Sequence, residues 1–247
     1  MELTVLGAGP AYTDRQGATG AAYLVQAGDT SILLDLGQGS FPRLAAAIEP
    51  SRLDAVIVSH LHPDHFIDLI PLRHYLVYQF APPRRVTVLG PAHLAERIDA
   101  LHAQPGLSAD ALDTSQLGTR QRQIGEVTVE ARLVTHTEES YATRLSLASG
   151  AGLVYSGDCG VADDLAPLIR PGDTLLVEAS FGPGPVPKGV NHLDGPAIAR
   201  LVAATRPGAI LLTHIQMGFD RQAAVDAVAA ATTAPVRLVE PGDRYRV

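Results

Sequence analysis

Three apolar runs, "ELTVLG", "AAYLVQAG" and "SILLDLG", follow one another before any stretch of the chain reads as a helix. Glycine and polar turns separate them, and runs this short and this rich in Leu, Val and Ile read as strands. Strands joined by such turns form hairpins, which argues against a purely parallel sheet. Helical patterns begin at "FPRLAAAIEP", and from there strands and helices alternate. "DAVIVSH" reads as a buried strand ending on His60, and "FIDLIPLRHYL" as a helix that Pro71 should kink or break. "RVTVLG" is a strand, and "PAHLAERIDALHA" a helix with proline in its first turn.

The second half repeats the rhythm. "EVTVEARLV", "ATRLSLAS" and "GLVYSGD" read as strands, "DDLAPLI" as a short helix and "TLLVEAS" as a strand. "DGPAIARLVAAT" is a helix, "AILLTH" a strand and "DRQAAVDAVAAA" a helix, before the strands "PVRLV" and "RYRV". No linker divides the halves, so residues 1–247 are expected to form a single α/β domain. Its expected form is two mixed sheets packed face to face with helices outside.

No apolar run has the length of a membrane helix, and no basic, apolar leader precedes the first strand, so a cytoplasmic protein with no membrane partner is expected. The one cysteine, Cys159, rules out an intrachain disulfide framework. A net charge of −7 argues against a general nucleic-acid binder. "LGAGPAY" has the look of a dinucleotide loop, but Tyr12 stands where the third glycine belongs and "TDRQGATG" cannot open a helix.

The chemistry concentrates in "SHLHPDHFIDL", Ser59 to Leu69. His60 and His62 are two apart, so an extended backbone points both the same way. Pro63 then starts a turn that carries Asp64 and His65 into a helix. Imidazoles and carboxylates so arranged suit a borderline divalent ion, zinc first, with manganese or iron as alternatives. Other ligand types stand after other strands: His136 after "ARLVT", Asp158 after "LVYSG" and His214 after "AILLT". His74, His93 and His102 lie in helical patterns and match no motif.

Over nearly its whole length, from "LGAGPAYTDRQGAT" through "LLDLGQGS" and "SHLHPDH" to "LLTH", the chain resembles the metallo-β-lactamase superfamily in its two-metal form. The resemblance implies a four-layer αββα sandwich with the site at one edge. It implies that His60, His62 and His136 hold one metal, that Asp64, His65 and His214 hold the other, and that Asp158 bridges them. Two ions about 4 Å apart acidify a water between them, which serves phosphodiesters, lactones and thioesters alike. Asp35, in "LLDLG", matches a position that hydrogen-bonds a ligand histidine in the family; a plain strand-end turn is the alternative.

His192, in "NHLDGPAIARLVAATRPGAILLTH", and Glu178, in "VEAS", resemble the ribonuclease Z and cyclic-nucleotide phosphodiesterase branch. There a histidine at this place meets the scissile phosphate and donates a proton. Asp64, His192 and Glu178 are thus the implied catalytic residues, with Glu178 orienting His192. Leu193 and Asp194 replace the Ser or Thr usual after that histidine, and Cys159 replaces a common Thr. The interval from His136 to Asp158 is filled by two strands, with no room for the tRNA-gripping arm of the branch. This favours a small phosphodiester, a cyclic nucleotide foremost, over precursor tRNA. The loop 181–189, with Lys188, should lie on the substrate side, where Lys188 either reaches a phosphate or is simply solvated. A lactone or thioester hydrolase, a tRNA 3′-end endonuclease and a metal-stabilised binding protein are the competing functions. A homodimer is the assembly common in the branch.

Overall fold

The structure is a computed structural model and describes residues 1–148 and 150–247. The first half runs β1 (Glu2–Gly7), β2 (Ala22–Ala27), β3 (Thr30–Leu34), α1 (Phe41–Ala47), β4 (Ala55–Ile57), α2 (Pro63–Phe66), α3 (Leu69–Tyr78), β5 (Val86–Gly90), α4 (Leu94–Leu101) and β6 (Leu112–Gln116). The second runs β7 (Arg122–Ile124), β8 (Val127–Leu133), β9 (Tyr141–Ser146), β10 (Leu153–Tyr155), β11 (Thr174–Glu178), α5 (Gly195–Thr205), β12 (Ala209–Thr213), α6 (Arg221–Ala229), β13 (Val236–Leu238) and β14 (Arg244–Arg246).

These strands make two seven-stranded sheets, ordered β14-β1-β2-β3-β4-β5-β6 and β13-β12-β11-β10-β9-β8-β7. Each sheet is antiparallel on one side and parallel on the other: β14 to β3 and β7 to β10 pair antiparallel, β3 to β6 and β10 to β13 parallel. On the antiparallel side tight turns join β2 to β3 and β7 to β8, while a longer loop over 8–21 joins β1 to β2; the parallel side follows from long crossovers, several of them helical. Alternation along the strands sorts side chains to opposite faces. Val5, Tyr23 and Ile32 meet Val129, Leu145 and Leu211 between the sheets. Leu24, Leu33 and Val56 face outward onto Leu44, Leu72 and Ile98 of the first helical layer. Leu175 and Leu212 face Ile198, Leu201 and Val228 of the second. The result is the expected four-layer αββα sandwich.

Four local expectations are corrected. Pro71 neither kinks nor breaks a helix: α3 begins at Leu69, which puts Pro71 in the first turn, where the missing N–H has no helical partner to lose. Pro91 lies ahead of α4 instead of inside its first turn, because the helix starts at Leu94. "DDLAPLI" forms a 3₁₀ turn at Ala162–Asp164 followed by irregular turns. The regular pairing of the strand expected to reach His60 ends at Ile57. Val58 still donates to the Leu89 carbonyl at 2.7 Å, but the Ser59 N–H turns away to the Asp35 carboxylate at 2.7 Å.

Candidate metal centre

Strands β3, β4, β8, β10, β11 and β12 finish at one edge of the sandwich, and the loops just past them carry the site. Asp35 follows β3, His60 follows β4, His136 follows β8, Asp158 follows β10, Glu178 ends β11 and His214 follows β12. Pro63 at the first position of α2 turns the chain so that Asp64 and His65 point back to the same edge. Gly37 lets this turn approach closely: a Cβ there would sit 1.8 Å from the Asp64 carbonyl oxygen. Asp35 and His214 both hold left-handed backbone, with φ of 56° and 60°. Such backbone costs a non-glycine residue about 1–3 kcal/mol and persists where surrounding contacts impose it.

The predicted residues come together in two groups. His60, His62, His136 and Asp158 form one, and Asp64, His65 and His214 the other. The Asp158 carboxylate stands between them. Its Oδ2 is 3.7 Å from His60 Nε2 and 3.6 Å from His136 Nε2, while Oδ1 is 3.4 Å from His65 Nε2 and 3.7 Å from His214 Nε2. Asp64 Oδ2 lies 3.1 Å from His214 Nε2.

Nearly every imidazole is fixed from behind. Asp35 Oδ2 accepts from His65 Nδ1 at 2.7 Å, and the Asn191 carbonyl from His136 Nδ1 at 2.7 Å. Ser59 Oγ and Ser180 Oγ each lie 3.1 Å from a ring nitrogen, Nδ1 of His60 and Nδ1 of His214 respectively. Partners at Nδ1 leave Nε2 as the nitrogen that faces the cluster. Asp35 itself accepts from the Ser59 N–H at 2.7 Å, Ser59 Oγ at 2.8 Å and the Tyr155 hydroxyl at 2.6 Å. The hydrogen bond from His65 bears out the Asp35 expectation.

The donor set fits divalent cations. His60 Nε2 and Asp158 Oδ1 are buried without a hydrogen-bond partner, against the general rule that buried polar atoms are satisfied. His62 Nδ1 and His136 Nε2 face each other at 3.1 Å, and the Nε2 atoms of His65 and His214 at 3.3 Å. Lone pairs of neutral imidazoles repel at that separation unless a shared cation or proton lies between them. Burial, reinforced by the neighbouring His65, holds the His60 imidazole well below the usual histidine value, and so neutral. Burial pushes the Asp158 carboxyl up, but His214 and His65 outweigh it and hold it well below the usual carboxylate range.

His192 stands beside this cluster. Its ring centroid is 4.8 Å from that of His136, and it stacks on His214 at 6.2 Å. Its Nδ1 is 2.9 Å from Glu178 Oε1 and 3.9 Å from Asp158 Oδ2. Glu178 is fully engaged: Oε1 also accepts from the N–H groups of Cys159 and Leu193 at 3.1 and 3.2 Å, and Oε2 from that of Ser180 at 2.9 Å. Glu178 Oε1 accepts from these N–H groups, and His192 Nδ1 lies where it donates to the same oxygen. Burial works against protonation of His192, but the hydrogen bond and charge of Glu178 prevail and set its pKa above the usual histidine value.

Other residues stay outside. Cys159 is buried, its thiol donates to the Val161 carbonyl at 3.2 Å, and burial pushes its pKa up to about 12, which suits packing and not nucleophilic attack. Lys188 is exposed on the loop 181–189. His93 is exposed and pairs with Glu96, while the rings of His74 and His102 pack on each other at 5.4 Å. The sequence reading missed Ser59, Tyr155, Ser180 and Asn191. The first three are common strand-end residues with no motif of their own, and Asn191 acts through its backbone.

Comparison with known proteins agrees with this geometry. The family model described as the beta-lactamase superfamily domain matches residues 30–215. The protein ML1173 of Mycobacterium leprae is 32% identical over all of this chain and 89% of its own length. The probable metallo-hydrolase YhfI of Bacillus subtilis is 28% identical over 87% of each chain. The crystal structure of YhfI superimposes with a TM-score of 0.87 at 22% identity, covering 99% of both chains. The short form of human tRNase Z gives a TM-score of 0.77 at 21% identity, covering 100% of this chain and 99% of its own. Among the described residues no helix is long and apolar enough to cross a membrane. The chain belongs to the metallo-β-lactamase superfamily.

Proposed function

We propose that the protein is a dinuclear metal phosphodiesterase acting on a small phosphodiester, a cyclic nucleotide foremost. His60, His62 and His136 would hold one ion, Asp64, His65 and His214 the other, and Asp158 would give one oxygen to each, with zinc the preferred metal. When bound, the ions supply a nucleophile at neutral pH and neutralise charge that builds on the phosphate. The observation that carries the phosphodiester reading is His192, locked by Glu178 beside the cluster. With Nδ1 committed to Glu178, the remaining ring proton sits on Nε2. The Glu178 charge keeps it there until a leaving alkoxide takes it. An alkoxide leaves poorly unless protonated, so this is help that a phosphodiester needs and a thioester does not. The short interval from His136 to Asp158, spanned by β9 and β10, supports a compact substrate over precursor tRNA.

His192→Ala tests this. The variant should keep both ions and lose about 10²–10⁴-fold in turnover of a diester with an alkoxide leaving group. It should lose less on a p-nitrophenyl diester, whose leaving group needs little protonation. Equal losses on both would assign His192 to phosphate positioning. No loss on either, in a panel that adds lactones, thioesters and precursor tRNA, would remove the phosphodiester reading.

A further inference from the structure

A cleft of about 790 Å³ opens directly beside His62 and Thr137 and runs along the exposed face of α4. That volume lies within the usual range of small-molecule sites. His62 lines both the cleft and the metal centre, so the cleft opens onto the cluster itself. Leu61, Pro91, Leu133 and Tyr141 give it an apolar surface. Leu133 is 53% exposed, so its side chain is open to a molecule entering the cleft.

The charge of the cleft narrows what can enter. Three carboxylates, Glu96, Glu138 and Glu139, line it against one guanidinium, Arg97. Glu139 is committed to the framework: it accepts from Gln116 Nε2 at 2.7 Å, from the Ala92 N–H at 2.8 Å and from the Tyr141 hydroxyl. Those bonds tie the loop after β5 and the end of β6, in one sheet, to the loop that carries His136, in the other. They hold the cleft in one shape. Glu138 is exposed at the rim, free to accept hydrogen bonds. Such a lining repels a second phosphate or a polyanionic strand. It favours a flat apolar ring with N–H groups at its edge.

Resting on the phosphodiesterase reading, we propose that this cleft is the subsite for the organic part of the diester, and that it takes a neutral nucleobase. The ring lies on Leu61 and Leu133, and its exocyclic amine donates to Glu138.

The test compares adenosine 3′,5′-cyclic phosphate with ribose 3′,5′-cyclic phosphate, which has the same diester and no base. Leu133→Asp and Glu138→Gln should each raise KM for the adenosine compound about tenfold with kcat little changed, and shift KM for the ribose compound several-fold less. Equal shifts on both substrates, or none on the adenosine compound, would overturn the subsite. Adenosine alone, with no phosphate, is titrated into zinc-loaded wild-type protein and followed by amide NMR. Shifts confined to the cleft at Leu61, Arg97, Leu133 and Tyr141 are expected, and their absence overturns the subsite even if no phosphodiester is ever turned over. Cleft shifts together with inactivity on every diester would instead overturn the phosphodiesterase reading and leave the base subsite standing.

Discussion

Replacing Asp35 with alanine should damage both the fold and one half of the site. The carboxylate accepts from the Ser59 N–H, Ser59 Oγ, His65 Nδ1 and the Tyr155 hydroxyl, all within 2.8 Å and all buried. Ser59 Oγ can turn to His60 Nδ1 at 3.1 Å. The other three donors are left without partners, at about 1–3 kcal/mol each. Alanine at a φ of 56° adds about 1 kcal/mol. Water entering the vacated space offsets part of this, so the net loss should be about 3–5 kcal/mol. For a chain of this size that is a fall in Tm of roughly 10–15 °C. Asp35→Asn keeps the shape and tolerates left-handed backbone, yet sets an NH₂ against donors, so it should lose about half as much. In both variants the group containing His65 should bind its ion about 10–100-fold more weakly, the usual cost of removing a partner behind a ligand histidine. Thermal denaturation in chelator and competition titration with a metal indicator give the two numbers. An alanine variant that melts within about 2 °C of the parent and binds both ions normally would refute the account.

Metal analysis of protein prepared without chelator should approach two equivalents per chain; Asp158→Ala should depress both positions and His214→Ala mainly one, and two undisturbed sites in the Asp158 variant would reject the bridging role. Gly37→Ala should weaken metal binding by displacing the Asp64 backbone, since the added Cβ would meet its carbonyl oxygen at 1.8 Å; parent-like affinity would mean the turn has slack. Asp173 concerns stability away from the site. Burial raises its pKa, but Arg144 and the N–H groups of Gly152 and Arg170 prevail and hold it below the ordinary 3.8. A depressed carboxylate adds stability that is complete above its unfolded value and lost as pH falls through the folded one. The Tm gap between the parent and Asp173→Asn, both in chelator, should therefore be constant near neutrality and shrink below about pH 4; a gap that widens on acidification would reverse the sign.

His60, His136, Asp158 and His214 were legible because each stands just past an apolar strand, where chemistry-bearing side chains cluster at a sheet edge, and His62, Asp64 and His65 because they crowd into the same short stretch. The runs before His136, Asp158 and His214 are unbroken enough to fix those positions without any contact being known. Of the four edge strands, β13 and β14 were read in "PVRLV" and "RYRV", but β6 and β7 were not legible. β6 carries Asp113, Ser115 and Gln116 on exposed backbone, so it lacks the apolar signal and reads as a loop. Pro71 misled because its effect depends on where the helix starts, and two short helices in succession look like one in sequence. Tyr155 was read only as a strand residue; its hydroxyl reaches Asp35 across the sandwich, a pairing of residues far apart in sequence that periodicity does not encode.

The unpartnered His60 Nε2 and Asp158 Oδ1 tie the folding equilibrium to ion supply. Buried atoms of this kind are a debt that the ion-free chain carries and the loaded chain does not. Ions that bind the folded chain and not the unfolded one stabilise it by about 1.4 kcal/mol per site for each tenfold excess of free ion over Kd. Two sites filled a hundredfold over their Kd would together contribute about 5 kcal/mol, comparable to the whole stability of many domains. Scarcity of the metal would then thin the population of folded molecules as well as silence those that remain, and the abundance of the protein would track the free ion concentration around it.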